Sequence, residues 1–454
     1  MRRLIPWVVV LAAAPGAAAA ERAPILDAAR NGDTTALRAL VGANADVNVA
    51  AADGTTALHW ASYRDDLEGA DLLLRAGARV NAATDLGVTP LWTASLNGSE
   101  RMVRRLLQAG ANPNVTLLHG ETPVMVAARS GSPAVVAQLV SGGANVNARA
   151  ARGQTALMWA VSQQHPDVVR VLLAHGADVH ARSDTWTEVM AVPPHGYLDY
   201  NRAIPHGGDS ALMFAARVGD ADSAGLLVAA GANVDDRDAW GVSATALAAH
   251  AGYRNLVALL LEHGADPNAA RAGFSALHCA IMRRDKAMVD VLLAHGADPN
   301  ARLGGWTPTR RSSKDFHFSP ELVGATAFWL AARFGGPDVM RLLVDYGADP
   351  LFVQRGDRVV AAKGGGFQHR VEVTTTLMAA VGMGGGEAWI QPERSEREAL
   401  TLEAVKLIAG LGVDLNAATA DGRTALDAAK TSKYETVVRF LLESGAKPGT
   451  TAGQ

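Results

Sequence analysis

A segment of 33 residues recurs along this chain, and its recurrence constrains the fold more than any other feature of the sequence. Most copies open with a glycine, one opens at Val373 instead, and the first four of these glycines are spaced by 33 residues. The opening glycines are Gly54, Gly87, Gly120, Gly153, Gly208, Gly241, Gly273, Gly324 and Gly422. Such a period predicts a series of similar small units that bury their apolar faces against one another.

Residues 87–114 show what one unit encodes. Thr89 has the side chain of a helix N-cap, and Pro90 suits the first helical position, where no backbone donor is needed. Gly98 and Gly110 are expected to end two successive helices, because glycine reaches the left-handed conformation without steric cost. The second helix carries apolar residues at helical spacing, namely Met102, Val103, Leu106 and Leu107. Neither helix is long enough to be stable alone, so each unit needs copies on both sides.

The motifs that follow the opening glycines are closely similar. They include GTTALHWA, GVTPLWTA, GETPVMVA, GQTALMWA, GFSALHCA and GRTALDAA, and the ending LLxxGAxxN recurs. In period and in motif the chain resembles the ankyrin repeat family. The resemblance implies an all-α fold, an ankyrin-repeat solenoid of about eleven helix-turn-helix repeats with caps at both ends. It also implies binding of other proteins rather than catalysis.

Four insertions interrupt the period. Three fall in turns between repeats and are called finger 1 (184–206), finger 2 (302–322) and finger 3 (351–371). The fourth, 384–400, separates the two helices of one repeat, and we expect a helix to start at Ser395. By the resemblance, the fingers project from one edge and the fourth insertion from the opposite edge. The predicted repeats occupy 21–183, 207–301, 323–350 and 372–448, and 449–454 is a tail.

The first twenty residues, MRRLIPWVVVLAAAPGAAAA, have the pattern of a secretory signal peptide. Two arginines precede an apolar run, and Ala18 and Ala20 stand in A-x-A register before the expected cleavage site. The alternative is a membrane anchor, but the apolar run is shorter than the roughly 20 residues that span a bilayer. We expect a periplasmic or secreted protein with no membrane insertion after signal cleavage.

Charge and cysteine content narrow the function. Removing residues 1–20 removes two of the 42 basic residues, so 40 basic and 45 acidic residues leave a formal charge of −5. A nucleic-acid binder is not expected, because such proteins carry a basic excess. The single cysteine, Cys279, excludes an intrachain disulfide and is expected to be a small buried side chain.

The fingers concentrate aromatic and basic residues that are scarce in the repeats. Long loops of this composition are typical of binding surfaces, although the aromatic side chains could instead pack the fingers internally. The candidate partner-binding residues of the fingers are Trp186, Tyr197, Tyr200, Trp306, Arg310, Arg311, Phe316, Phe318 and Phe367.

A second set of candidates follows the first helix of several repeats, where ankyrin repeats face their concave groove. Arg129, Arg217, Arg283 and Arg333 occupy this position. They favour a partner with acidic groups, because guanidinium groups pair with carboxylates. The alternative interpretation is that arginine is simply common at this position.

Histidines fall into two groups. His59 and His278, in the TALH and SALH motifs, are expected to hydrogen-bond locally. A metal site is the alternative for the histidines outside the repeat pattern, together with Asp199 or Asp315; these histidines are His195, His206, His317 and His369. No compact metal motif is present, so the sequence predicts no metal, no cofactor and no catalytic residue.

These observations predict an exported, non-enzymatic protein–protein interaction scaffold, expected to be a monomer. Its partner is another protein or peptide, held by the groove and the fingers, and the groove arginines favour an acidic one. The alternative is a small-molecule or metal-binding protein, or an enzyme, with a pocket closed by the three fingers. Convergence of the fingers on one site would favour that alternative.

Overall fold

The computed structural model describes residues 23–190, 202–307, 317–361 and 365–450. The chain divides into two compact units, Met1–Asn145 and Val146–Gln454. The predicted signal peptide lies outside the described residues. Within the described residues, no helix combines the length and the apolar character needed to cross a membrane.

The first unit consists of four helix pairs in its described part. In each pair a helix of seven or eight residues is followed by one of nine residues. They are α1 (Pro24–Asn31), α2 (Thr34–Gly42), α3 (Ala57–Tyr63), α4 (Leu67–Arg75), α5 (Pro90–Leu96), α6 (Glu100–Gln108), α7 (Pro123–Ser130) and α8 (Pro133–Ser141).

The second unit continues the helix pairs and adds four strands. Its helices are α9 (Ala156–Ser162), α10 (Pro166–Ala174), α11 (Ala211–Val218), α12 (Ala221–Ala229), α13 (Ala244–Ala251), α14 (Arg254–Glu262), α15 (Ala276–Met282), α16 (Lys286–Ala294), α17 (Ala327–Leu330), α18 (Pro337–Asp345), α19 (Thr376–Ala380), α20 (Arg394–Gly410), α21 (Ala425–Thr431) and α22 (Glu435–Glu443). A π-helical turn, Ala331–Gly335, extends α17. Helix α20 begins one residue before the predicted start.

Local signals of the repeat act as predicted. The Thr89 hydroxyl accepts a hydrogen bond from the Trp92 amide at 3.2 Å and so caps α5. Gly98 follows α5 with a φ of 69°, in the left-handed region that glycine tolerates. Met102 and Leu106 of α6 are fully buried. The stack of helix pairs predicted from these motifs is therefore confirmed.

Asparagines of the LLxxGAxxN ending join neighbouring repeats. The Asn81 side-chain amide donates to the Gly110 carbonyl at 3.1 Å, and its oxygen accepts from the Asn112 amide at 2.8 Å. In the second unit, Asn300 donates in the same way to Gly347 at 3.1 Å, although 47 residues separate them. Finger 2 therefore leaves the contact between its flanking repeats intact.

Fingers 1 and 3 form β-hairpins, which the sequence analysis did not predict. In finger 1, β1 (Thr185–Met190) pairs antiparallel with β2 (Arg202–Gly207). In finger 3, β3 (Val353–Ala361) pairs antiparallel with β4 (Phe367–Thr375). The helical repeat architecture thus carries two small two-stranded sheets.

An ordinary inter-repeat turn explains why these insertions become hairpins. Such a turn already pairs two residues antiparallel, for example Ala50 with Thr56. At the base of finger 1 the corresponding pair is Arg182 with Ser210, and β1 and β2 continue its register. The insertion lengthens a pairing that several such turns contain, and β-branched residues in the strands support it.

Candidate functional site

Finger 1 presents an ordered aromatic residue. Trp186 on β1 stacks on the His206 ring opposite it on β2, with ring centroids 5.5 Å apart and planes inclined by 19°. The Arg152 guanidinium lies 4.5 Å from the centre of the indole. Trp186 nevertheless remains partly exposed, and Val189 further along β1 is 71% exposed. The predicted contacts Tyr197 and Tyr200 lie outside the described residues.

Finger 3 presents a second partly apolar surface. Phe367 at the start of β4 is 38% exposed, and Val371 on the same strand is 55% exposed. The His369 ring lies 3.1 Å from an Asp357 carboxylate oxygen on β3. These side chains combine apolar area with charge, which suits a protein contact surface.

One prediction for finger 2 is wrong. Phe318, predicted to contact a partner, is 1% exposed and is one of the largest fully buried side chains. Its ring lies 5.2 Å from that of Phe274 and 4.9 Å from that of Trp389. It is therefore a core residue, as the internal-packing alternative for the aromatic residues allowed. Trp306 is half-buried. The other predicted contacts of finger 2, namely Arg310, Arg311 and Phe316, lie outside the described residues.

Fingers 2 and 3 contact each other near their bases. The Gln354 side-chain amide of β3 donates to the Val323 carbonyl, just after finger 2, at 2.8 Å. Gly356 lies so close to finger 2 that an added Cβ would be 2.9 Å from the Glu321 carbonyl oxygen. These contacts hold β3 against the end of finger 2.

The fourth insertion also departs from expectation, because it does not stay at the edge opposite the fingers. The Trp389 indole nitrogen donates to the His317 carbonyl of finger 2 at 2.6 Å. Its ring lies 4.9 Å from Phe318 and 5.1 Å from His250. An apolar aromatic residue in a glycine-rich loop gains more by folding back onto buried aromatic rings than by remaining in solvent.

The four predicted groove arginines have different environments. Arg217 forms an ion pair with Asp209 at 2.7 Å, and Arg283 donates to the His250 carbonyl at 2.9 Å. Arg129 is exposed. Arg217 and Arg283 therefore use part of their hydrogen-bonding capacity within the chain, which leaves less of it for a partner.

Arg333 lines a cavity of about 490 Å³ in the second unit. Arg284, after α15, and Arg397, in α20, line the same cavity, which the fourth insertion helps to enclose. In the described ranges, none of the residues that line it belongs to fingers 1 to 3. This cavity therefore differs from the finger-closed pocket considered from the sequence.

Burial shapes the chemistry of Arg333. Its guanidinium carbon lies 4.7 Å from the centre of the Phe334 ring, and its Nε has no hydrogen-bond partner within the described part of the chain. Burial lowers the pKa of Arg333 to about 10, so the side chain remains charged at neutral pH. Sequence reasoning missed Arg284 and Arg397 because only folding brings them to the cavity. The sequence offered two signals for these residues. Arg284 directly follows the groove position Arg283, and Arg397 lies in the fourth insertion.

The histidines considered as metal ligands have separate surroundings. His206 stacks on Trp186, and the His317 carbonyl accepts from Trp389. His369 lies beside Asp357. In the described segments, no three histidine, cysteine, aspartate or glutamate residues are grouped so that they could hold a metal ion. His195 lies outside those segments.

The remaining histidine predictions, and that for the cysteine, are confirmed. In His59 and in His278, Nδ1 accepts from the backbone amide three residues earlier, at 3.1 Å, and so completes a capping box. Cys279 is fully buried, and burial raises the pKa of its thiol.

Comparison with known proteins agrees with the observed repeats. The family profile described as "Ankyrin repeats (3 copies)" matches residues 25–117, 114–183 and 212–302, and that described as "Ankyrin repeat" matches 323–354. The human ASB11 ankyrin repeat domain, a solved structure, is 29% identical over 54% of this chain and 100% of its own, with a TM-score of 0.45. The search of curated proteins found no match. Since the profiles match more than half of the residues, the chain belongs to the ankyrin repeat family.

Proposed function

We propose that the protein is an exported, non-enzymatic scaffold that binds a partner protein through fingers 1 and 3. Ankyrin repeats are generally protein–protein interaction modules, and proteins built from them are typically non-enzymatic. The fold alone does not name the contact residues, so the proposal rests on where apolar side chains are exposed.

The observation that carries the proposal is the exposure of apolar residues on both hairpins. Trp186 and Val189 are exposed on finger 1, and Val353, Phe367 and Val371 are exposed on finger 3. Exposing apolar area to water is unfavourable, and clusters of aromatic and branched residues at a surface are typical of binding sites. These side chains lie on the strands of the hairpins and not on the helices of the repeats.

Charge adds to apolar contact in the proposed selection of the partner. Arg129 and Arg217 are exposed, and Arg217 and Arg283 contact groups within the chain. We propose that exposed arginines beside the groove add contacts to acidic groups of a partner, and that the hairpins provide most of the contact area.

Export is proposed from residues 1–20. In a Gram-negative source, cell fractionation should place the protein in the periplasm, and Edman sequencing of the mature protein should begin at Glu21. Recovery of a chain that still starts at Met1 in the cytoplasm would contradict export and leave the binding proposal standing.

Partner capture tests the binding surface directly. The protein serves as bait in an extract of its own organism, beside the double variant Trp186→Ser, Phe367→Ser. Tyr346→Ser, Leu442→Ser is the matched control, because these residues are similarly exposed but lie at the ends of the second helices of two repeats. We expect the hairpin variant to lose its partner at unchanged melting temperature and the control to keep it. Equal capture by all three proteins would contradict the proposal.

A further inference from the structure

We propose that the cavity around Arg284, Arg333 and Arg397, called the arginine cavity, binds a small organic anion that carries a carboxylate or phosphate group. This site is separate from the proposed hairpin surface. The inference holds whether or not the hairpins bind a protein.

The three arginines come from distant parts of the sequence. Arg284 follows α15, Arg333 belongs to the π-helical turn after α17, and Arg397 lies near the start of α20. A guanidinium nitrogen of Arg284 lies 3.0 Å from the position that a Cβ on Gly336 would take, so it approaches the backbone of the cavity wall closely. The fold therefore gathers three permanently charged side chains around one space.

The charges of the cavity are not balanced by the chain. Among the described residues of the lining, Glu387 is the only acidic one, and three are arginines. In the described part of the chain, no ion pair within 4.0 Å joins any of these arginines to a carboxylate. Elsewhere in the same unit, Arg217 and Arg254 do have such partners. The arginine cavity is thus a site of uncompensated positive charge.

Hydrogen bonding is also incomplete. The Nε atoms of Arg333 and Arg397 are buried and have no hydrogen-bond partner among the residues that the structure describes. The remaining contacts of Arg397 are long, at 3.4 Å from its Nη2 to the Gln391 side-chain oxygen and to the Pro392 carbonyl. A buried N–H group without an acceptor lowers the stability of the folded chain. A bound oxyanion would supply oxygen acceptors, and a guanidinium group can donate two parallel hydrogen bonds to them.

The size and the apolar part of the lining define the ligand further. A cavity of about 490 Å³ suits a small molecule rather than a folded partner. Phe334, Ile390 and Leu400 provide apolar surface beside the arginines. The geometry therefore favours an organic acid or organophosphate with an apolar portion.

Isothermal titration calorimetry of the purified protein with phenyl phosphate, citrate and inorganic phosphate tests the proposal. Hexaglutamate, an acidic peptide, is titrated separately to test whether the cavity binds a peptide instead. We expect phenyl phosphate or citrate to bind with one site per chain, and more weakly as salt is raised. Arg397→Gln and Arg284→Gln should each weaken that binding about tenfold or more, because a charge-assisted hydrogen bond is lost. Arg170→Gln, which removes an exposed arginine of α10, should leave it unchanged.

Thermal melting of each variant shows whether it is folded, and two variants are used so that misfolding of one does not decide the result. The double variant Trp186→Ser, Phe367→Ser should bind the anion like the unaltered protein. The proposal is overturned if no small anion binds, if the arginine variants bind as well as Arg170→Gln, or if hexaglutamate alone binds. The last result would assign the cavity to a protein interface.

Discussion

At the scale of the residue, Phe318 shows that composition alone could not separate a contact residue from a core residue. It stands in an insertion rich in aromatics, yet its ring packs against Phe274 and Trp389. Phe367, in another insertion, is 38% exposed. Both residues stand in insertions of similar composition, so the sequence around them does not tell which side chain is buried. The folded structure does.

This difference gives a stability prediction. Phe318→Ala should lower the free energy of unfolding of the unit that contains it by about 3–5 kcal/mol, because it leaves a cavity among aromatic rings. Phe367→Ala should cost less than about 1 kcal/mol, because the side chain keeps much of its contact with water. Urea unfolding followed by circular dichroism measures the free energy of unfolding of both variants. Equal losses would contradict the burial of Phe318 in the core.

His278 links a residue to the pH dependence of stability. Burial lowers its pKa from 6.5 to about 4, and its Nδ1 must be unprotonated to accept from Ser275. Above pH 6.5 both folded and unfolded states hold the neutral ring, so its contribution is complete. As the pH falls from 6.5 towards 4, the unfolded chain binds the proton first and stability is lost, by at most about 3 kcal/mol.

The variant His278→Gln checks this effect. Glutamine at this position can still complete a capping box but does not titrate in this range. Unfolding free energies measured between pH 7.5 and 4 should therefore fall less for the variant than for the unaltered protein. Parallel curves would mean that His278 does not contribute to the acid sensitivity.

At the scale of the element, the helices were predictable and the hairpins were not. Thr89 and Gly98 specify their turn locally, through a cap and a left-handed conformation. The hairpins depend on pairing between residues far apart in sequence, such as Val353 with Thr375. The sequence signal for the second hairpin is the pair of runs VQRGDRVVA and FQHRVEVTT, which are rich in valine and threonine and are separated by a glycine-rich segment.

The fourth insertion supplies the prediction at this scale. Trp389→Ala should release the insertion from finger 2, because it removes the hydrogen bond to His317 and the contact with Phe318. Amide hydrogen exchange should then increase across residues 382–393. Ile390→Ala, at the exposed neighbouring position, is the control and should change exchange little. Unchanged exchange in Trp389→Ala would show that the indole does not anchor the insertion.

At the scale of the molecule, the stacking of repeats and the proposed contact surface use different residues. Asn300 bridges to Gly347 across finger 2, so an insertion can vary without breaking the stack. Repeat motifs therefore predicted most of the helical framework, while the candidate surface lies in segments that interrupt it. The arginine cavity could not be predicted from the repeat period. Arg284 and Arg397 are far apart in sequence and line one cavity only in the folded chain.

Site-specific photo-crosslinking in living cells tests most directly whether the fingers bind the partner. A photoreactive phenylalanine analogue replaces Val189, Val371 or Leu442, which are 71%, 55% and 50% exposed. The proposal predicts a crosslinked partner from the hairpin positions 189 and 371 and none from position 442 on α22. A partner captured only from position 442 would contradict the claim that the insertions, rather than the repeats, form the binding surface.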